Sequence, residues 1–242
     1  MVYLAALVLI LIPFVRFDIL KKNGNEKLWY YICLSALTLI AGLRYRVGGD
    51  TIGYMDHFET YPNVTNIFKF DFGAAYFMPL WYVYNSIFKS LGDSFYVFQI
   101  VQAFLVNAAF FRFFRRYSKH FFAVLLVYFV GYYLFYNTEI LRSALCVALF
   151  LEAYPSLEKK KDHWYFLPSL VAVGFHISAV FIFHSAFFQI YKKGKFHLLR
   201  RDWHCHLFDG KPHQYQGDNR INRHSVEHRF QVLHSVEARL IR

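Results

Sequence analysis

Apolar blocks broken by short basic interruptions dominate the first 190 residues. They occupy 2–20, 28–43, 94–111, 120–136, 140–157 and 164–190, each close to the roughly 17–25 residues of a spanning helix. Residues 76–91 have a different pattern. Phe77, Leu80, Trp81, Tyr84, Ile87, Phe88 and Leu91 share one helical face, and Tyr82, Asn85, Ser86 and Lys89 share the other. An aromatic face opposite a polar one predicts a helix lying in the membrane interface. The pattern as a whole predicts an all-α fold: a polytopic transmembrane helical protein with about six spans plus an external interfacial helix.

The interruptions set the orientation. Arg16, Lys21, Lys22 and Lys27 follow the first block, Arg112, Arg115, Arg116 and Lys119 the third, and "EKKKDH" at 158–163 the fifth. Cytoplasmic loops carry the Lys/Arg excess, so the amino terminus and Arg44–Asp71 fall on the external side. The first block has no basic n-region and no small-x-small cleavage site, which predicts an uncleaved span rather than a signal peptide. The block at 164–190, with "GFHIS" near its middle, reads as one tilted span or as a hairpin.

Composition agrees: 57% hydrophobic, 21% aromatic and only 18% charged residues, with mean hydropathy +0.26. The net charge of +11 would raise nucleic acid as a partner in a soluble protein. Here it resolves into topological clusters, so no nucleic-acid partner is expected. Cys33, Cys146 and Cys205 form no disulfide or metal spacing.

Near residue 195 the character of the chain changes. Residues 1–195 hold 12 Lys and 7 Arg, whereas 196–242 hold 1 Lys, 7 Arg and seven of the twelve histidines. The expected organisation is a transmembrane domain at 1–195 and a polar His/Arg-rich tail at 196–242. The tail is either a soluble appendix or, the preferred reading, translation out of frame. His204, Cys205 and His206 are adjacent with no second ligand cluster, so no metal site is expected.

On this topology three polar features meet at the external face. Arg44, Arg46, Asp50, Tyr54 and Asp56 follow the second block, Glu139 and Arg142 open the fifth, and His176 lies thirteen residues beyond His163, about 20 Å along a helix. Each has a plainer explanation. Arg44 can snorkel to headgroups, Arg142 can pair with Glu139 one turn away, and His176 can be an interior histidine with satisfied bonds. Gln99, Gln102 and Asn107 read as interhelical hydrogen-bond partners. Taken together, external arginines run against the charge bias, and ionisable groups at membrane depth cost about 2.5–3.5 kcal/mol. Arginine's planar fork suits a diphosphate, and Gly48-Gly49 allows close backbone approach.

"LRYRVGGDTIGYMDHF" resembles the early motif of the EpsG family of Wzy-like polysaccharide polymerases: an arginine, Val-Gly-x-Asp, then a tyrosine. "ILRSALCVALFLEAYPSLEKKKDHWYFLPSLVAVGFHISAVFIF" resembles the family's later block, with Ile-Arg-Gln, a basic loop and Phe-His-x-Ser-Ala. Two departures stand out: Ser143 replaces the usual Gln, and Leu141 replaces the Ile before Arg142. The family also continues with further spans, which implies a truncated product. The resemblance implies a protein of the bacterial cytoplasmic membrane in exopolysaccharide or capsule synthesis. It would join repeat units carried on undecaprenyl diphosphate at the outer face, working beside other polysaccharide-assembly proteins and membrane lipid. No cofactor is implied, because the diphosphate-linked sugar is already activated. Arg44, Arg46 and Arg142 would bind the diphosphate, and Asp50 or His176 would be the base. The alternatives are a non-catalytic scaffold or export component, and an O-antigen-ligase-like transferase.

Overall fold

The computed structural model describes residues 1–69, 78–158 and 162–181, all within one compact unit, Met1–Ile190. The tail from 196, and the choice between one span and a hairpin in 164–190, lie outside the described residues.

Among the described residues the fold is entirely helical. The helices are α1 (Val2–Ile19), α2 (Glu26–Gly42), α3 (Thr51–Thr60), α4 (Pro79–Gly92), α5 (Phe95–Tyr117), α6 (Phe121–Tyr133), α7 (Leu141–Glu158) and α8 (Asp162–Phe175). A short 3₁₀ turn covers Val64–Lys69, and α6 runs on as a π-helical segment over Phe135–Glu139. Two helices, α1 and α5, are long and apolar enough to cross a membrane, while Phe121–Tyr133 and Tyr165–Phe175 are apolar but shorter. Length and composition thus support two of the six expected spans directly.

Local chemistry sets several boundaries. Pro13 offers no N–H to the ladder, and the last turns of α1 widen to a π-helix over Phe14–Ile19. Asn25 caps α2 by accepting the Leu28 N–H at 3.2 Å. Asp18 reaches across to the start of α6, where its Oδ2 accepts the Ala123 N–H at 2.7 Å.

The long helices alternate in direction. Tyr30 packs on Phe111 near one end of the α2–α5 pair; at the other end a Cβ on Gly42 would lie 2.6 Å from the Ile100 Cα. α7 runs parallel to α5: Gln102 Nε2 donates to the Leu141 carbonyl at 2.8 Å, and Arg112 pairs with Glu152 at 2.6 Å near the opposite end. α8 returns along α7, with Phe150 against Tyr165 and Cys146 Sγ 3.2 Å from the Ala172 carbonyl. Arg16, Arg112 and Arg115 therefore gather at one end of the bundle, and Arg44, Glu139 and Arg142 at the other.

Polar groups tie the interior. Asn107 Nδ2 donates to Asn137 Oδ1 at 3.1 Å, the Tyr128 hydroxyl donates to Asn107 Oδ1 at 3.0 Å, and Asn137 Nδ2 reaches the Tyr133 carbonyl at 2.9 Å. Among apolar surroundings such bonds and close packing, rather than apolar transfer, hold helices together. Near the start of α5, Phe98 sits in edge contact with Trp81, Tyr84 and Phe88 of α4.

The amphipathic helix expected at 76–91 is present as α4, but it packs by a different face. Tyr82, Asn85 and Ser86, assigned to the polar side, are buried with Trp81 and Phe88. Ile87 and Leu91, assigned to the apolar side, are exposed. Asn85 tolerates burial because its Nδ2 donates to the Trp81 carbonyl one turn back, at 2.7 Å.

Candidate functional site

α2 stops at Gly42, and the chain then turns sharply over residues 43–50 before α3 begins. Two residues in this turn have positive φ: Arg46 at 52° and Gly48 at 105°. Gly48 has a second reason to be glycine, since a Cβ there would lie 2.8 Å from the Thr138 Cβ. The turn is stitched to the end of the π-helical segment. The Thr51 hydroxyl donates to the Val47 carbonyl at 2.6 Å and lies 3.4 Å from the Thr138 carbonyl. The Gly49 N–H donates to Glu139 Oε1 at 2.9 Å, and the Tyr54 hydroxyl to the Glu139 carbonyl at 3.4 Å.

Arg44 does not extend outward. It is only 6% exposed, with Nη1 donating to the Ala41 carbonyl at 2.6 Å and Nε to the Val47 carbonyl at 3.2 Å. The guanidinium thus closes the end of α2, where free carbonyls attract a cation. Its Nη2 is buried without a partner among the described residues. Burial pushes the group down to about 10, against the opposing pull of Tyr133, Tyr3 and Glu139, so it stays cationic at neutral pH.

Arg142 is placed differently. The helix breaks at Ile140 (φ −114°, ψ 52°) before α7 begins at Leu141. That break removes the one-turn spacing on which a Glu139–Arg142 pair depends, and Glu139 turns to the Gly49 amide instead. The Arg142 guanidinium lies 5.8 Å over the Tyr54 ring, with Nη1 3.3 Å from Met78 Sδ. Among the described residues it makes no ion pair. Its charge acts on His176, which sits just past the end of α8.

His176 is held by its own turn. Its Nδ1 accepts the Ser178 N–H at 3.1 Å and lies 2.6 Å from the Ser178 hydroxyl. A backbone N–H can only donate, so Nδ1 carries the lone pair and the proton of the neutral ring sits on Nε2. His176 therefore presents a donor.

The structure brings Arg44, Arg142 and His176 into one neighbourhood, linked through Glu139 and Tyr54. Arg46 is exposed and stacks 5.3 Å over Tyr45, away from that set of contacts. Asp50 is exposed at the N-cap position of α3 and makes no side-chain capping bond. Glu139 has a larger place than the sequence signalled, and the glutamines of α5 take the interhelical bonds expected of them. Glu139 bridges the two halves. Gln99 and Gln102, one turn apart on α5, hold the carbonyls of Arg44 at 3.2 Å and of Leu141 at 2.8 Å. The polar, one-turn spacing of this glutamine pair inside an apolar block was the available signal.

Comparison with known proteins bears on the same segments. The family model described as the EpsG family matches residues 27–199, a stretch that includes both arginine segments and His176. No curated protein and no solved structure matches the chain.

Proposed function

The chain belongs to the EpsG family, and from that membership we propose that it joins oligosaccharide repeat units carried on undecaprenyl diphosphate. Membership makes it a membrane protein of polysaccharide biosynthesis. In the proposal it is a multi-pass protein of the bacterial cytoplasmic membrane, with about six spans and the site on the outer face.

The observation that carries the reading is Arg142: a partly buried guanidinium, seated on the Tyr54 ring, with no carboxylate neutralising it among the described residues. A cation held in that way suits the two charges of a diphosphate, and it would stabilise the diphosphate as leaving group. Arg44 adds positive charge from beneath while shaping the turn, and His176 supplies an Nε2–H for a phosphate or sugar oxygen. Arg46 contacts the headgroup side of the same ligand from the exposed turn.

Reconstitution with a lipid-linked repeat unit tests this. Arg142→Ala should lower turnover by about 100- to 1,000-fold, the loss typical of one donor to developing charge, and weaken undecaprenyl diphosphate binding. Arg142→Lys should recover part of both. Polymer of normal length and yield from Arg142→Ala would favour a scaffold or export component instead.

A further inference from the structure

We infer that Glu139 is the general base of this site, the carboxylate that takes the proton from the acceptor sugar's hydroxyl. The inference rests on the polymerase reading above and adds the residue that activates the nucleophile.

The geometry separates the three candidate bases. Asp50 is exposed and held by no side-chain capping bond. His176 has its Nδ1 occupied by the Ser178 N–H, so its neutral ring offers Nε2–H and no lone pair to an incoming hydroxyl. Glu139 is half-buried, and its Oε1 is fixed by the Gly49 N–H at 2.9 Å with the Thr138 hydroxyl at 3.4 Å. Among the described residues no hydrogen bond engages Oε2. That oxygen lies 3.0 Å from where a Cβ on Gly49 would stand, so glycine at 49 leaves the carboxylate room. One oxygen anchored and one open is the arrangement a base needs to meet a hydroxyl in a defined direction. The charged and titratable groups that act on or touch Glu139 among the described residues are Arg44 at the end of α2 and Tyr54 on α3, whose hydroxyl donates to the Glu139 carbonyl.

The acceptor hydroxyl gives its proton to Glu139 Oε2 as its oxygen bonds to the anomeric carbon of the donor repeat unit. The bond from that carbon to the diphosphate oxygen breaks, and its electron pair leaves on undecaprenyl diphosphate beside Arg142. Glu139 then loses the proton to water.

The test uses the full chain in lipid nanodiscs with a lipid-linked repeat unit. Glu139→Gln keeps an oxygen for the Gly49 amide but cannot take a proton. It should bind undecaprenyl diphosphate like the wild type, turn over about 100- to 10,000-fold more slowly, and lose the wild type's rise of rate with pH. Asp50→Asn and His176→Gln should keep that rise. Glu139→Ala should regain turnover when formate is added, a response that a purely structural role would not give. Wild-type turnover and pH profile in Glu139→Gln, or no formate response, would overturn the assignment. If Arg142→Ala still loses ligand in that case, only the base assignment falls. If the wild type joins no units, or Arg142→Ala binds normally, the function reading falls and takes the base with it.

Discussion

Replacing Gly48 by alanine tests whether the junction between the two arginine segments is built as described. Gly48 has φ +105°, where an L-residue is strained by about 1–2 kcal/mol. The added Cβ would also stand 2.8 Å from the Thr138 Cβ, 2.9 Å from the Thr51 hydroxyl and 3.1 Å from the Thr138 carbonyl. Two of these atoms belong to the neighbouring segment and one is backbone, so the contact is not relieved by turning a long side chain, and overpacking of this kind costs about 1–3 kcal/mol. The sum is about 2–5 kcal/mol against the stitched conformation, or about 30-fold to a few thousand-fold in the closed-to-open ratio of the turn. Hydrogen exchange reads this directly, because the Gly49 amide is the donor to Glu139. Gly48→Ala should speed exchange at Gly49 by that factor and weaken undecaprenyl diphosphate binding. Gly53 is the control: it lies within α3 with open space around it, so Gly53→Ala should be neutral or stabilising by about 0.5–1 kcal/mol. Unchanged Gly49 protection in Gly48→Ala would refute the stitched turn.

Gln102→Leu removes the bond to the Leu141 carbonyl and should lower stability by about 0.6 kcal/mol, at most about 1.7, seen as a lower melting temperature in detergent. Asn107→Leu should do more. It strips partners from both Asn137 and the Tyr128 hydroxyl, about 1–3 kcal/mol for each buried group left unpaired, and the same melt measures it. Gly42→Ala drives a Cβ to 2.6 Å from the Ile100 Cα and should separate α2 from α5 at a cost of about 1–3 kcal/mol. A cysteine cross-link between the two helices, compared before and after the change, checks that outcome.

The helical blocks were legible because their signal is local. Apolar runs bounded by polar residues place α1, α2, α6 and α7 within a few residues of their observed ends, and the start of α5 as well, although α5 runs on through its basic cluster to Tyr117. The glutamines and Asn107 inside α5 also behave as expected, since a polar group in an apolar block must find a partner. The arginine segments were visible as motifs, and the family match covers them both.

Other features depend on contacts between segments far apart in sequence, and no window along the chain contains them. The buried side of α4 follows from Asn85 closing its own bond and from the aromatic packing around Phe98, not from the helix's own polarity. The direction of Arg44 follows from carbonyls at Ala41 and Val47 that only a sharp turn brings within reach. Glu139 and Arg142 look like a one-turn pair until the break at Ile140 sends the carboxylate to Gly49, ninety residues earlier in the chain. The sequence by itself therefore determined an all-helical membrane protein of this family and the residue types gathered near its site. The tertiary structure decided which arginine is consumed by the fold and which makes no ion pair among the described residues. The reason is that a charged or polar side chain takes whichever backbone group lies nearest, and packing alone settles which that is.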